Sequence, residues 1–458
     1  MKIISITLEE IINDFKTKLN DSLKTKCKFL IKRNLFEFEK ILFSEVTELY
    51  NNIAESIIEY ALTCEDMKEN LRQYGQKKGL GKLKLRETNL QLFTGKTIRY
   101  SGYYATNQTV QGYDGTRHIE QAYWGCEKKA SPMYYSLISI LSVVCPSFDV
   151  ANEIMGQLNI EGNYNRIRDL SEHIGRKCLK DRINIGLKAN ETLKGKRVII
   201  TVDGGRSRIR EYTEQYNKGS NYSKYETPWH EPKLFVIHII DEEGKIEKAE
   251  LPIYDCVLDN CDVCFNLLEQ YLKRLNIKEA KEVQFISDGA QWIWARVKPM
   301  LLKLKVKKEV ITETVDYYHA VEHLSALIDT LPKSIKSQKG EKLFKQLKDF
   351  LWKGEITQIL SVIKSTCKKI GGNMLRELTY FLKNEKRMMY EKYRDLKLLC
   401  GSGIVESAIR RVINLRFKCP SSFWNEDNLE GLIYLRAILL SKRWSIMINN
   451  LNNQGYKY

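Results

Sequence analysis

No stretch of this chain is apolar enough for long enough to cross a bilayer. The most apolar run, Pro132 to Val144, is short and interrupted by serines. The first fifteen residues also lack the unbroken apolar block of a secretory signal, because Glu9, Glu10 and Asp14 fall within them. Nor do the 11 cysteines form a framework. The nearest approach to a cluster is Cys256, Cys261 and Cys264. Cys261-Asp-Val-Cys264 has zinc-knuckle spacing, but no second Cys-x-x-Cys or His pair follows. A metal or redox role for these three stays open beside the plainer reading as reduced, structural thiols. These absences lead us to expect no membrane association, and a soluble protein of the cytoplasm, where thiols stay reduced.

What the chain has in excess is positive charge, with 74 Lys and Arg against 57 Asp and Glu and a net charge of +17. Such a balance points to a polyanionic partner, most often nucleic acid; a lysine-rich surface reflecting genome composition is the bland alternative. A hydrophobic content of 43% is enough for ordinary cores. The length gives room for about two to four domains.

Residues 7 to about 80 read as helices, with apolar positions recurring every three or four residues from Phe29 to Leu62. That face suits packing on the same chain or on a second protomer. Gly75, Gly79 and Gly81, among Gln76, Lys77, Lys78, Lys82 and Lys84, suggest a flexible basic linker. Leu90 to Tyr100 alternates and turns at Thr94-Gly95, so a β-hairpin is expected there. Ser147 can cap a helix from Phe148 to about Leu158. A turn at Glu161-Gly162-Asn163 leads to a second helix, Tyr164 to about Lys180, that carries Arg166, Arg168, Arg176 and Lys177. This is helix-turn-helix spacing, suited to the major groove, although Gly-linked helix pairs occur in any α protein. The expected division is 1–85, an N-terminal helical region, and 86–190, a hairpin and helix-turn-helix DNA-binding region.

The texture changes at Lys196. Strands are expected at Arg197–Asp203, Leu234–Ile240, Lys245–Val257, Glu282–Asp288 and Val310–Val315, with a helix at Asp262–Leu275 and helices from Tyr317 to about Leu399. The order β-β-β-α-β-α-β is that of an RNase H-like α/β core with a mixed five-stranded sheet. Its first part would cover 196–318, a large helical insertion 319–400, C-terminal core helices 401–445, and a tail 446–458.

Two of these strands end in a carboxylate followed by glycine, Asp203 and Asp288. Central, adjacent strands would bring the two together at one sheet edge, and the glycines would let a phosphate backbone approach. A third carboxylate, Glu406, lies in Gly401-Ser-Gly-Ile-Val-Glu-Ser407. There the glycines break the preceding helix and Ser402 can cap the next. Three oxygen-donating carboxylates are what two-metal phosphodiester chemistry requires. Singly, each has a plainer reading: an Asp before Gly is often a turn residue, and a Glu in a first helical turn often only complements the dipole. The conjunction carries the inference, and any nuclease or polymerase of this fold would satisfy it. Arg410, one turn after Glu406, either meets the scissile phosphate or pairs with Glu406. From Arg376 to Lys418 there are 11 basic and 5 acidic residues, followed by Phe423 and Trp424, a basic and aromatic mixture typical of nucleic-acid grooves.

Four segments resemble the Kra-type insertion-sequence family of bacterial DDE transposases. They are Val202-Asp-Gly-Gly-Arg-Ser-Arg208, Ser287-Asp-Gly-Ala-Gln-Trp-Ile-Trp294, Val315-Asp-Tyr-Tyr-His-Ala-Val-Glu-His-Leu324, and a stretch from Tyr380 through Gly401–Ser407, Arg416-Phe-Lys418 and Trp424 to Ala437. The resemblance covers about 197–445. It implies that Asp203, Asp288 and Glu406 are the catalytic, metal-holding triad, loaded with a pair of Mg²⁺ or Mn²⁺ ions. It further implies that Asp316-Tyr-Tyr-His319 places His319 near the DNA, with a structural histidine as the alternative. His319, Glu322 and His323 together also have the look of a metal site. Arg166, Arg168, Arg206, His319, Arg410, Arg416, Lys418 and Trp424 are the candidate DNA contacts. The implied activity is binding and cleavage of insertion-sequence ends and joining of the 3′-OH to target DNA, by a homodimer or larger synaptic complex at the bacterial nucleoid. The alternatives are a nuclease of this fold without strand transfer and a transposase-derived DNA-binding protein. Relatives carry Cys-x-x-Cys pairs around the hairpin; this chain has none.

Overall fold

The structure is a computed structural model that describes residues 8–108, 116–212, 225–367, 369–419 and 422–453. The chain forms two compact units, residues 1–178 with 447–458, and residues 179–446.

The first unit begins with helices Leu8–Ile31, Leu35–Thr63 and Glu65–Lys77. A two-stranded antiparallel hairpin follows, Leu80–Gln91 with Thr97–Gln108. The basic segment expected to be a flexible linker is ordered: Gly75 lies in the third helix, Gly79 makes the turn at φ 67°, and Gly81 to Lys84 open the first strand. The expected boundary at 85/86 therefore falls inside a strand. The hairpin turn is held by the helix pair that follows it. Glu161 N–H donates to the Thr94 carbonyl (2.8 Å), and a Cβ at Gly95 would lie 1.9 Å from the Glu161 carbonyl oxygen. The two helices are Phe148–Gln157, capped by the Ser147 hydroxyl accepting from Val150 N–H, and Tyr164–Leu179.

The second unit is built on a mixed five-stranded sheet. Its strands are β1 (Arg197–Gly204), β2 (Lys233–Ile240), β3 (Ile253–Val257), β4 (Glu282–Ser287) and β5 (Ile311–Val315). The spatial order is β5-β4-β1-β2-β3. β1 to β3 form an antiparallel meander, and β4 and β5 add on the other side, parallel to β1. The central strands are buried on both faces, which is why Val198-Ile-Ile and Leu234-Phe-Val-Ile read as unbroken apolar runs. The third strand is shorter than expected. Residues 245–252 turn instead, because the Asp241 and Glu247 carboxylates accept backbone N–H groups there and Pro252 has none to give.

Helices α1 (Cys261–Arg274) and α2 (Gln291–Lys303) follow β3 and β4. The insertion after β5 contains α3 (Tyr317–Asp329), α4 (Lys333–Lys353), α5 (Ile356–Thr366), α6 (Gly372–Asn384) and the short α7 (Tyr390–Asp395). It shares one continuous apolar core with the sheet. The chain then returns through α8 (Gly403–Ile409), which packs on β1 and β2, a π-helical turn at Arg410–Asn414, and α9 (Glu426–Leu440), which packs on β3.

Candidate catalytic carboxylate site

In the parallel pair β1/β4, Thr201 stands opposite Ile286, so two residues further on Asp203 and Asp288 reach the same level at the strand ends. The Ser287 hydroxyl donates to the Val202 carbonyl (2.8 Å) and ties the two strands just before the carboxylates. Asp203 accepts from Gly204 N–H (2.7 Å), and Asp288 accepts from Ala290 N–H (3.0 Å) while its carbonyl takes the Trp294 indole N–H (3.0 Å). Both side chains are therefore oriented by their own loops.

Glu406 lies in the first turn of α8, and the route that delivers it is stitched to the sheet. Arg197 donates to the Leu396 carbonyl (2.8 Å). The buried Gln284 side chain donates to the Leu399 carbonyl (2.7 Å) and accepts from Leu399 N–H (3.0 Å). Tyr317 N–H donates to the Cys400 carbonyl (2.9 Å). Asp316, with no exposed surface, closes the route: one oxygen accepts from Tyr318 N–H (2.6 Å) and His319 N–H (3.0 Å), and the other accepts from Ser402 N–H. One carboxylate thus caps the helix of His319 and holds the hinge of Glu406. Ser402 occupies the N-cap position of α8, but its hydroxyl makes no capping bond, contrary to expectation.

The result is a set of interacting charges. Burial, with Asp288 and Glu406 adding to it, pushes the Asp203 carboxyl up to about 6, against Gly204 N–H and His319, which pull it down. His319 is raised: burial lowers it, but Asp316, Glu322, Asp288 and Glu406 outweigh that. Its Nε2 stands 3.6 Å from the Glu406 carboxylate and its Nδ1 3.3 Å from Glu322. No ion pair between Glu406 and Arg410 occurs among the described residues; Glu406 faces His319 instead, and the exposed Arg410 opens the π-helical turn. Glu430, another C-terminal carboxylate, is committed elsewhere, to Arg182 and to Leu258 N–H (3.0 Å).

The donor chemistry of Asp203, Asp288 and Glu406 suits a hard divalent cation, since all three offer carboxylate oxygen and crowd one another's charge. Among the described residues, however, no three His, Cys, Asp or Glu side chains stand close enough together to enclose an ion as they are. In the trio His319, Glu322 and His323, the last turns away from the other two. His323 bonds Glu377 (2.6 Å) and stacks on Tyr380 at a centroid distance of 3.6 Å. Cys256 and Cys264 are buried, with thiols pushed up by that burial, Cys264 to about 12.

The glycines after the aspartates serve packing rather than an open approach for phosphate. A Cβ at Gly289 would lie 2.0 Å from the Tyr380 ring, and one at Gly204 would lie 2.3 Å from the Glu231 carboxylate. Beside Asp288, Gly289, Trp294, Arg376, Tyr380, Lys383 and Arg387 line a groove of 820 Å³.

Several expected DNA contacts have partners within the chain. Arg166 is bonded to Gln91 (2.9 Å) and to the Lys128 carbonyl (2.9 Å), and Arg168 pairs with Asp169 (2.9 Å). Arg416 is buried, its guanidinium 4.8 Å from the Trp424 ring centroid. Trp424 is buried too, donating to the Phe417 carbonyl (3.2 Å). Arg206 and Lys418 are exposed. Arg206 leads into, and Lys418 flanks, a feature the sequence reading missed, a ribbon that follows β1. Ser207–Arg208 pairs with Trp229–His230 and Glu211–Tyr212 with Tyr225–Glu226. Trp229 is half-exposed, with Arg208 4.8 Å and Lys418 5.9 Å from its ring centroid, and Arg210 lies 5.1 Å from the Tyr225 ring. Alternation of Arg206, Arg208 and Arg210 with the buried Ser207 and Ile209 was the available signal.

No family model and no curated protein sequence matches this chain. The solved structure described as the Drosophila P element transposase strand transfer complex aligns with 72% of this chain and 81% of that one, at 11% identity and a TM-score of 0.28, too loose a superposition to establish a common fold.

Proposed function

We propose that this chain is a DNA transposase with an RNase H-like catalytic core, of the kind its motifs resemble in the Kra-type insertion-sequence family. The observation that carries the reading is the level placement of Asp203 and Asp288 on adjacent parallel strands, with Glu406 brought within 3.6 Å of His319 by a separately stitched segment. A turn residue or a helix-dipole partner needs no such convergence. Divalent ions bound by the three carboxylates, Mg²⁺ or Mn²⁺, would supply activation of the attacking oxygen and stabilisation of the leaving one. The rest is the work of the protein's own groups. Asp316 fixes His319 and Glu406 relative to each other. His319, held toward its charged form, neutralises part of the carboxylate charge and is placed to meet a phosphate oxygen. Arg206, Arg208 and Lys418, interleaved with Trp229, offer phosphate and base-face contacts next to Asp203.

The proposed reaction is hydrolysis at the element end to free a 3′-OH, which then attacks a phosphodiester of target DNA. The purified chain is to be incubated with Mg²⁺ and pre-cut duplexes carrying the sequences that flank its gene, together with a supercoiled target plasmid. Joined product supports transposition. Nicked target without joining would leave a nuclease, and neither product, with binding retained, a DNA-binding protein only.

A further inference from the structure

Helix Leu35–Thr63 in the first unit carries a row of apolar side chains that stay largely exposed among the described residues, with Gly156, Gln157 and Asn159 walling one side of the row at Phe36, Phe43 and Val46. Phe36, Phe43, Val46, Tyr50, Ile57 and Tyr60 are 43% to 72% exposed. Their spacing is 7, 3, 4, 7 and 3, the repeat of a and d positions in a heptad, and half-buried Ile53 fills the next d position. The other faces of the helix are occupied. Glu45 and Glu48 pair with Lys26 and Lys18 of the first helix, and Asn51, Ala54, Ile58 and Leu62 turn toward the hairpin. The stripe lies on a separate face, about a third of a turn round the helix from that one.

We propose that this stripe is a coiled-coil seam that pairs with the same helix of a second copy of the chain. A seam with a 3.5-residue repeat is complementary to a helix with the same repeat, and the helix that certainly has it is its own copy. Whole side chains of this size bury ~150–250 Å² each, so the exposed fractions amount to roughly 500–700 Å² per copy. That approaches the ~800 Å² that one partner contributes to a standard interface. Of the flanking positions only Lys40 is charged, and Leu42, Thr47, Leu49, Ala54, Ser56 and Ala61 set no electrostatic barrier. The pairing is antiparallel. A parallel seam would bury Glu39, the one charged d position, against its own copy. An antiparallel seam instead sets Val46 level with Tyr50 of the second copy and Phe36 against Tyr60, and places each Glu39 opposite Ile57 of the second copy, one layer from the end and far from the other Glu39.

The full chain, free of DNA, is measured by sedimentation equilibrium over a concentration series. It is expected to be a dimer at tens of micromolar, and Val46→Glu with Tyr50→Glu should weaken the dimer at least about a hundredfold while the helical circular dichroism is unchanged. Leu85→Glu, on the hairpin and comparably exposed at 67%, should leave the mass unchanged. A monomeric wild-type chain, or a double variant that assembles like wild type, overturns the proposal. A second arm does not depend on the charged variant folding. In a chain with Val46→Cys and Tyr50→Cys, mild oxidation should give an interchain disulfide joining position 46 to position 50. A 46-to-46 link as the main product would overturn the antiparallel seam, and no interchain link at either position the seam itself.

Discussion

Asp316→Asn separates holding the active centre together from merely folding. The wild-type carboxylate uses one oxygen for the Tyr318 and His319 N–H groups and the other for Ser402 N–H. An asparagine with its carbonyl toward the cap keeps the first two bonds and turns an amide donor toward the Ser402 donor. At a position with no exposed surface, leaving that N–H unsatisfied costs about 1–3 kcal/mol. For a unit of this size that is a fall of roughly 2–4 °C in Tm per kcal/mol, read by differential scanning calorimetry. Because the lost bond is the one that fixes the hinge before Glu406, cleavage should fall much further than stability does. A loss of at least about tenfold is expected, measured well below Tm, consistent with the sensitivity of reaction rates to small misplacements. End binding should be unchanged. A variant that melts lower yet cuts at the wild-type rate would refute the positioning argument, and an unchanged Tm would refute the contacts themselves.

Gly289→Ala places a methyl 2.0 Å from the Tyr380 ring and should lower Tm and cleavage together, whereas Tyr380→Ala in the same chain should partly restore both; failure of that rescue in a two-variant melting series would contradict the packing. Trp229→Ala should weaken single-stranded DNA binding by about 1–3 kcal/mol in fluorescence anisotropy, the scale of one lost base stack, and an unchanged affinity removes the ribbon from the interface. Glu377 is held below the ordinary carboxylate range, because the His323 and Arg376 hydrogen bonds outweigh its burial. Its depressed value means that its stabilisation is present above the unfolded carboxyl value of ~4.3 and is lost as pH falls through the lower folded value. Urea melts of wild type and Glu377→Gln should therefore differ at pH 7 and converge on acidification; a gap that is constant with pH would contradict this. Cleavage should require Mg²⁺ or Mn²⁺, with Ca²⁺ supporting binding alone, and full cutting in EDTA would exclude the metal-dependent reading.

The strand-end aspartates were legible because a central strand buried on both faces must be apolar until it stops, so the first carboxylate marks the end. The order of the five strands followed from apolar runs and turn residues in the same way. The third strand was overestimated, because alternation in Lys245–Val257 does not reveal that Asp241 and Glu247 divert the backbone N–H groups. Asp316 stood in a recognised motif, yet its double attachment joins residues 86 positions apart and leaves no local pattern. Gln284 interrupts the apolar run Val283–Ile286, a visible sign whose partner, Leu399, is 115 positions away. The basic residues were ambiguous for the opposite reason. Arg166 and Arg416 are bonded or stacked within their own units, and composition does not distinguish an arginine that faces solvent from one that holds a core together.

The central claim is that Asp203, Asp288 and Glu406 act as one metal-dependent centre for breaking and joining DNA. It is tested most directly by comparing Asp203→Asn, Asp288→Asn and Glu406→Gln with wild type in one cleavage and joining assay with Mg²⁺, with end binding followed in parallel. Each variant keeps the shape and removes the charge. The account predicts that all three bind the ends like wild type and lose both cleavage and joining by at least about a hundredfold. A Glu406→Gln protein that still joins ends to target, or three variants that cut as wild type does, would contradict it.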